Sequence, residues 1–156
     1  MRTLLAISDA SVLIDLADSN LVVPDFVLTE ITEDEQRESV EKLVHSKNLS
    51  VLPASADDLL LMEGLLERHP ALSFADCSVL ILAGRHNALV LTNDSRMRKV
   101  AERNGLTCHG TLWIIRQLVE ESIVTSERAR RALLRLREAN PRLPKSECEH
   151  LLRELE

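Results

Sequence analysis

The sequence predicts an α/β fold built on a parallel sheet and continued by a helical C-terminal tail. Three observations carry this. Short apolar runs alternate with longer amphipathic stretches, the pattern of repeated βαβ units with right-handed crossovers. A length of 156 residues amounts to about one domain. Hydrophobic residues make up 45% and aromatics only 2%, so the core must come from Leu, Ile, Val and Ala. That scarcity also argues against a nucleic-acid site that depends on stacking bases on aromatic rings.

TLLAIS (3–8) reads as a buried strand, followed by Asp9 and an apolar helix over SVLIDLAD (11–18). LVVP (21–24) is expected to turn the chain into a helical stretch around FVLTEI. Residues 32–48 have helix composition, with Val40, Leu43 and Val44 on one side. LSVLP (49–53) is a strand stopped by Pro53, and 56–69 is a helix ended by Pro70. SFADCSVLILAGRHN (73–87) is a further helix and ALVLT (88–92) a further strand. DSRMRKVAERNG is a helix with Gly105 at its end, then LTCHG a last short strand. After Gly110 only helices are expected, over TLWIIRQLVEE, SERARRALLRLREAN and SECEHLLRELE.

The net charge of −6 is unevenly spread. Residues 1–84 carry 5 basic and 15 acidic side chains, residues 85–145 carry 13 and 6, and residues 146–156 carry 1 and 4. The total therefore does not exclude an anionic partner. No apolar run reaches the roughly 18 residues of a membrane span, and the LLAI after Arg2 is too short for a signal peptide. Cys77, Cys108 and Cys148 are odd in number and lack a CxxC pair, which suits reduced thiols in a cytoplasmic protein.

Four carboxylates occupy informative positions. Asp9 and Asp94 directly follow strands, and ligands of open parallel sheets bind beyond the carboxyl ends of strands. Asp is also a preferred helix N-cap, and both residues precede helices. Asp76 enters a helix that is apolar on nearly every side, where a carboxylate is costly unless paired, hydrogen-bonded or metal-bound. SFAD also reads as a capping box with Ser73 at the N-cap. Glu30 sits in VPDFVLTEI, one turn into a helix that follows Pro24, and spacing alone does not choose it over Asp25 or Glu33. Acidic groups gathered at one sheet end repel by about 3 kcal/mol per pair at ~5 Å and an effective dielectric near 20. A fold that gathers them requires a cation, and oxygen-only ligands suit Mg²⁺ or Mn²⁺.

SDASVLIDLA, VPDFVLTEI, SFADCSVLILA and LVLTNDSRMRKVAERNGL together resemble, in order and spacing, the four acidic motifs of PIN domains. The likeness is to VapC-type ribonuclease toxins and related PIN proteins over roughly residues 3–120, and the tail resembles that of a VapC-like subgroup. The resemblance implies a three-layer α/β/α domain over 1–120 with a central parallel sheet of four to five strands, and a helical extension over 121–156 packed on it. It implies an endoribonuclease dependent on Mg²⁺ or Mn²⁺, with Asp9, Glu30, Asp76 and Asp94 as metal ligands and catalytic acids. Ser11 and Thr92 match the supporting hydroxyl positions. The chain departs from the pattern in its short DSNLVV stretch, and in Ser95, Arg96, Met97 and Arg98 where many relatives carry a further acid. One tight ion, with another recruited by substrate, is the expectation that follows. The alternative is an inactive PIN-like module that binds RNA or a protein.

Arg96 and Arg98 are the candidate RNA contacts near Asp94, whereas Arg128, Arg131 and Arg135 read as a solvated row opposite Ala129, Ala132, Leu133 and Leu136. The five histidines show no HxxxH or HExxH pair, which disfavours zinc, and Cys148-Glu149-His150 is expected on the tail surface. A HAD-type phosphatase would need a DxD where Ser11 stands. A Toprim nuclease would need a late DxD, and a Rossmann or P-loop binder a glycine-rich first turn; neither is present. The partners expected are RNA, a small antitoxin protein and a second copy of the chain.

Overall fold

The computed structural model describes residues 5–7, 21–140 and 143–156. Asp9, Ser11 and the helix expected over SVLIDLAD lie outside the described residues. The chain divides into two compact units, Met1–His109 and Gly110–Glu156.

The first unit holds a five-stranded, all-parallel sheet in the order β3-β2-β1-β4-β5. Its strands are β1 (Leu5–Ile7), β2 (Leu21–Pro24), β3 (Leu49–Leu52), β4 (Leu89–Leu91) and β5 (Cys108–His109). Ala6 pairs with Val22 on one side and with Val90 on the other. The chain thus winds outward from β1 to β3 and then crosses back to β4. The reversal of strand order lies between β1 and β4, and the crevice beyond their carboxyl ends is where such sheets bind ligands.

LVVP is a strand and not the expected turn into a helix. All four of its residues are buried, with Val23 at 1% exposure. Strands covered on both faces read as continuous apolar runs, and four such residues carry no periodicity to separate strand from helix. Pro24 then opens α1 (Asp25–Thr29), where its missing N–H costs nothing. This helix is a five-residue turn, so Glu30 stands at its C-cap and not inside it.

The remaining helices of the unit are α2 (Asp34–His45), α3 (Ala56–Arg68), α4 (Phe74–His86) and α5 (Ser95–Arg103). Both α3 and α4 begin with reciprocal capping boxes, Ser55 with Asp58 and Ser73 with Asp76. Helix α4 contacts β1, β2 and β4 and also packs on α1 and α3. It is accordingly buried nearly all round, through Ala75, Cys77, Ser78, Val79, Leu80, Leu82 and Ala83. Asn87 ends it in the left-handed region at φ 49°, a conformation Asn tolerates better than most residues. The core is aliphatic with Met62 and Met97, as the composition requires.

The second unit comprises α6 (Thr111–Glu120), α7 (Ser126–Ala139) and α8 (Lys145–Glu154) around Ile115, Ala129, Leu133, Leu143, Cys148, Leu151 and Leu155. Arg128, Arg131 and Arg135 are exposed, as expected of a solvated row. Cys148 corrects one expectation: it is fully buried in this cluster, and only Glu149 and His150 of that run reach the surface. Its spacing of three and seven to Leu151 and Leu155 puts it on their side of the helix.

Candidate functional site

The best-defined part of the site lies just past β4. Thr92 is buried, and its backbone N–H donates to the His109 carbonyl at 2.9 Å, continuing the β4–β5 ladder one residue further. Its hydroxyl accepts the Asp94 N–H at 3.1 Å, so Thr92 supports the backbone of Asp94 and not its carboxylate. Asp94 is the N-cap of α5, with Oδ1 accepting from the Arg96 and Met97 N–H groups at 2.7 and 3.2 Å. Its Oδ2 accepts from Arg96 Nη2 at 3.1 Å, with the carboxylate still 35% exposed. Burial pushes the Asp94 carboxyl up, but the Arg96 side chain and the two cap bonds outweigh it, holding the group below its ordinary range.

Arg96 links two of the candidate acids. Its guanidinium is held in the charged form first by its hydrogen bond to Asp94 and then by the Asp94 charge, with a further contribution from Asp76. Asp76 therefore lies within electrostatic reach of the same cation. In its own box Asp76 accepts the Ser73 N–H on Oδ2 at 2.9 Å, while its N–H donates to Ser73 Oγ at 3.0 Å. Its Oδ1 accepts no hydrogen bond among the described residues. Capping therefore uses one oxygen of Asp76 and leaves the other open to a ligand. The adjacent Cys77 thiol is pushed up to about 11, by burial and then by the Asp76 charge.

The segment that ends at Glu30 is tied to α4 by packing. Phe26 of α1 meets Phe74 at the start of α4 edge to face, with centroids 5.0 Å apart and planes at 83°. Two of the three aromatics of the chain are thus spent joining the segment that carries Glu30 to the one that carries Asp76. Glu30 itself is exposed, and its N–H donates to the Val27 carbonyl at 3.1 Å. Sequence patterning did not single out this aromatic contact, because the two rings lie 48 positions apart and belong to different elements.

Arg98 faces main-chain oxygen. Its Nη1 donates to the Cys108 carbonyl at 3.3 Å and its Nη2 to the Thr92 carbonyl at 3.2 Å, strapping the carboxyl ends of β5 and β4. Burial and then the Arg98 charge hold the His109 ring below its ordinary value, which favours neutral imidazole at the end of β5.

Among the described residues no three His, Cys, Asp or Glu side chains converge on one metal position. The donor chemistry nevertheless fits a hard cation. It is all carboxylate, with Asp76 Oδ1 unengaged, Glu30 exposed, and Asp94 Oδ2 held only by an arginine that is itself 65% exposed. Such a set has no nitrogen or sulfur donor to favour zinc.

A family model for DUF3368, described as a PIN domain, matches residues 4–156. No curated protein matches the chain. Among solved structures, the crystal structure of VapBC2 from Rickettsia felis bound to a DNA fragment from their promoter contains a chain similar to this one. The TM-score is 0.48 at 13% identity, over 69% of this chain and 98% of that one.

Proposed function

The chain belongs to the PIN-domain family, and from that premise we propose that it is a metal-dependent endoribonuclease hydrolysing RNA phosphodiester bonds. Asp9, Glu30, Asp76 and Asp94 form its acidic cluster, with Mg²⁺ or Mn²⁺ as the ion they hold. The observation that supports this reading is the position of Asp94, held by Thr92 and the α5 cap just past β4 and beside the reversal of strand order.

When bound, a divalent ion supplies an activated water and stabilises the leaving oxygen. This chain's own residues do the rest. Thr92 fixes the Asp94 main chain, and the α5 cap fixes its carboxylate rotamer. The Ser73 box aims Asp76, and the Phe26–Phe74 contact brings α1 beside α4. Arg96 meets the phosphate backbone once it leaves Asp94, and Arg98 adds positive charge from the strand ends.

The biological role we propose is that of the toxin of a type II toxin–antitoxin pair, acting in the cytoplasm and held by a small antitoxin protein. The nuclease domain is taken as 1–120 and the helical extension as 121–156. No helix among the described residues is long and apolar enough to cross a membrane. A second reading, an inactive PIN-like module that binds RNA or protein, is favoured by one feature: both Asp94 oxygens already have partners.

The test is incubation with RNA in Mn²⁺, Mg²⁺ or EDTA, comparing wild type with Asp9→Asn and Asp94→Asn. Cleavage that requires the ion and is lost in both variants is expected. Cleavage in EDTA, or surviving both substitutions, would sink the mechanism. RNA binding without turnover in any metal would move the chain to the second reading.

A further inference from the structure

Helix α7 concentrates positive charge in an acidic chain. It holds five arginines against two acids, Glu127 and Glu138, while the whole chain stands at −6. Arg128, Arg131 and Arg135 follow at spacings of three and four, so they form one exposed row of about 10 Å along the helix. The row lies on the side away from the buried Ala129 and Leu133. Like charges at these spacings disfavour a helix. Glu127 stands 3.6 Å from Arg131, but both side chains are more than two-thirds exposed, and water leaves such a pair weak. The row therefore presents its charge to solvent.

This arrangement fits phosphate. A guanidinium fork meets two phosphate oxygens at once. Neighbours on a helix surface stand about 5–6 Å apart at Cβ, and side chains as long as arginine can then each take a different phosphate of one strand. An acidic protein would need an apolar anchor at the centre of its footprint, and α7 offers none. The large exposed hydrophobics among the described residues are Leu60, Leu61 and Ile123, all outside this helix. Nor does α7 carry an aromatic ring on which a base could stack, so its chemistry suits the backbone and not the bases.

We propose that the outer side of α7 is an RNA-backbone site, in which Arg128, Arg131 and Arg135 take phosphates of a single strand whatever its sequence. The inference rests on the reading of the chain as a ribonuclease. It places part of the grip on substrate in the second unit, on residues with no part in the acidic cluster.

Fluorescence anisotropy of a labelled single-stranded RNA of mixed sequence tests it, titrated with the full chain in EDTA at several salt concentrations. The row variant carries Arg128→Ala, Arg131→Ala and Arg135→Ala together. The control carries Arg68→Ala, Arg103→Ala and Arg153→Ala, which removes the same charge from other exposed positions. Alanine favours helix, so both should stay folded, as far-UV circular dichroism will confirm. The row variant is expected to bind at least about tenfold more weakly, and its salt slope to flatten by about 2, at about 0.7 per lost phosphate contact. The control should keep the slope of wild type. An equal loss in the two variants, or an unchanged slope in the row variant, overturns the proposal and leaves the ribonuclease reading intact. A wild type that binds no RNA also overturns it and assigns the row to an acidic protein. If that wild type cuts no RNA in Mn²⁺ either, the ribonuclease reading falls with it.

Discussion

Asp94 and Arg96 are joined twice. Asp94 Oδ1 accepts the Arg96 backbone N–H at 2.7 Å, and Oδ2 accepts its guanidinium at 3.1 Å. The first bond builds the helix start and the second is a surface ion pair open to water. The two can therefore be separated by mutation. Under the proposed function, Arg96 holds the position that a divalent cation would claim.

Arg96→Ala should leave α5 capped and free Oδ2. Mn²⁺ affinity, measured by calorimetry, is expected to rise several-fold, while binding of single-stranded RNA in EDTA weakens and its salt dependence falls. Arg96→Lys should lie between, because an ammonium lacks the planar fork. Unchanged Mn²⁺ affinity in Arg96→Ala would mean that the guanidinium does not compete for the carboxylate.

Asp58 makes a different kind of pair. It is fully buried, and Arg85, from the last turn of α4, donates to its Oδ2 at 2.7 Å while remaining 43% exposed. Burial pushes the Asp58 carboxyl up, but the Ser55 hydrogen bonds and then the Arg85 and His86 charges prevail and hold it below its ordinary range. A carboxyl depressed in the folded state contributes stability above its unfolded pKa, and that stability is lost as pH falls through the folded one. Asp58→Ala should cost about 1–2 kcal/mol near neutral pH, from the lost cap and charge-assisted bond. The cost should fade in acid. Arg85→Ala leaves burial with less opposition, so its deficit should grow as pH rises. Urea unfolding of the three proteins between pH 3 and pH 7, the span over which carboxylates ordinarily titrate, reads these slopes directly.

The contrast between these two aspartates shows what a single sequence reveals. The capping boxes of α3 and α4 are short-range and legible as Ser-x-x-Asp before an apolar run, as is the strand-to-helix position of Asp94. The partner of Asp58 lies 27 residues away on another helix, a separation that no periodicity reports. LVVP gives no sign of being a strand, because four buried residues are too few for a period. The burial of Cys148 does have a sequence signal, in the three-and-seven spacing to Leu151 and Leu155. The order of strands, which places β1 and β4 side by side, depends on the crossover after α4 and has no local signature.

The Phe26–Phe74 contact should matter to activity more than to stability. Phe74→Leu keeps most of the apolar area and loses the edge-to-face geometry, a contribution of about 0.5–1.5 kcal/mol. Thermal unfolding should shift modestly. RNA cleavage should fall by a larger factor, because the contact joins α1, which ends at Glu30, to the helix start that carries Asp76. A fall in rate no greater than the loss of folded protein would reduce the pair to packing alone.

The three thiols give a test of both compact units with one reagent. Cys77 and Cys148 are fully buried and Cys108 is 9% exposed, and all three are free. With the Cys77 thiol near 11, only about one molecule in a thousand carries the thiolate at pH 8, and that anion is the reactive form. An aromatic disulfide reagent at pH 8 should therefore leave Cys77 unmodified in the native protein, and all three should react at once in denaturant. Cys148 decides the packing of the second unit. On the surface beside Glu149 and His150 it would react within seconds. In the cluster with Ile115, Leu133 and Leu151 it reacts only when the three helices open. Mapping the labelled cysteine by mass spectrometry distinguishes the two, and prompt native labelling of Cys148 would contradict the cluster.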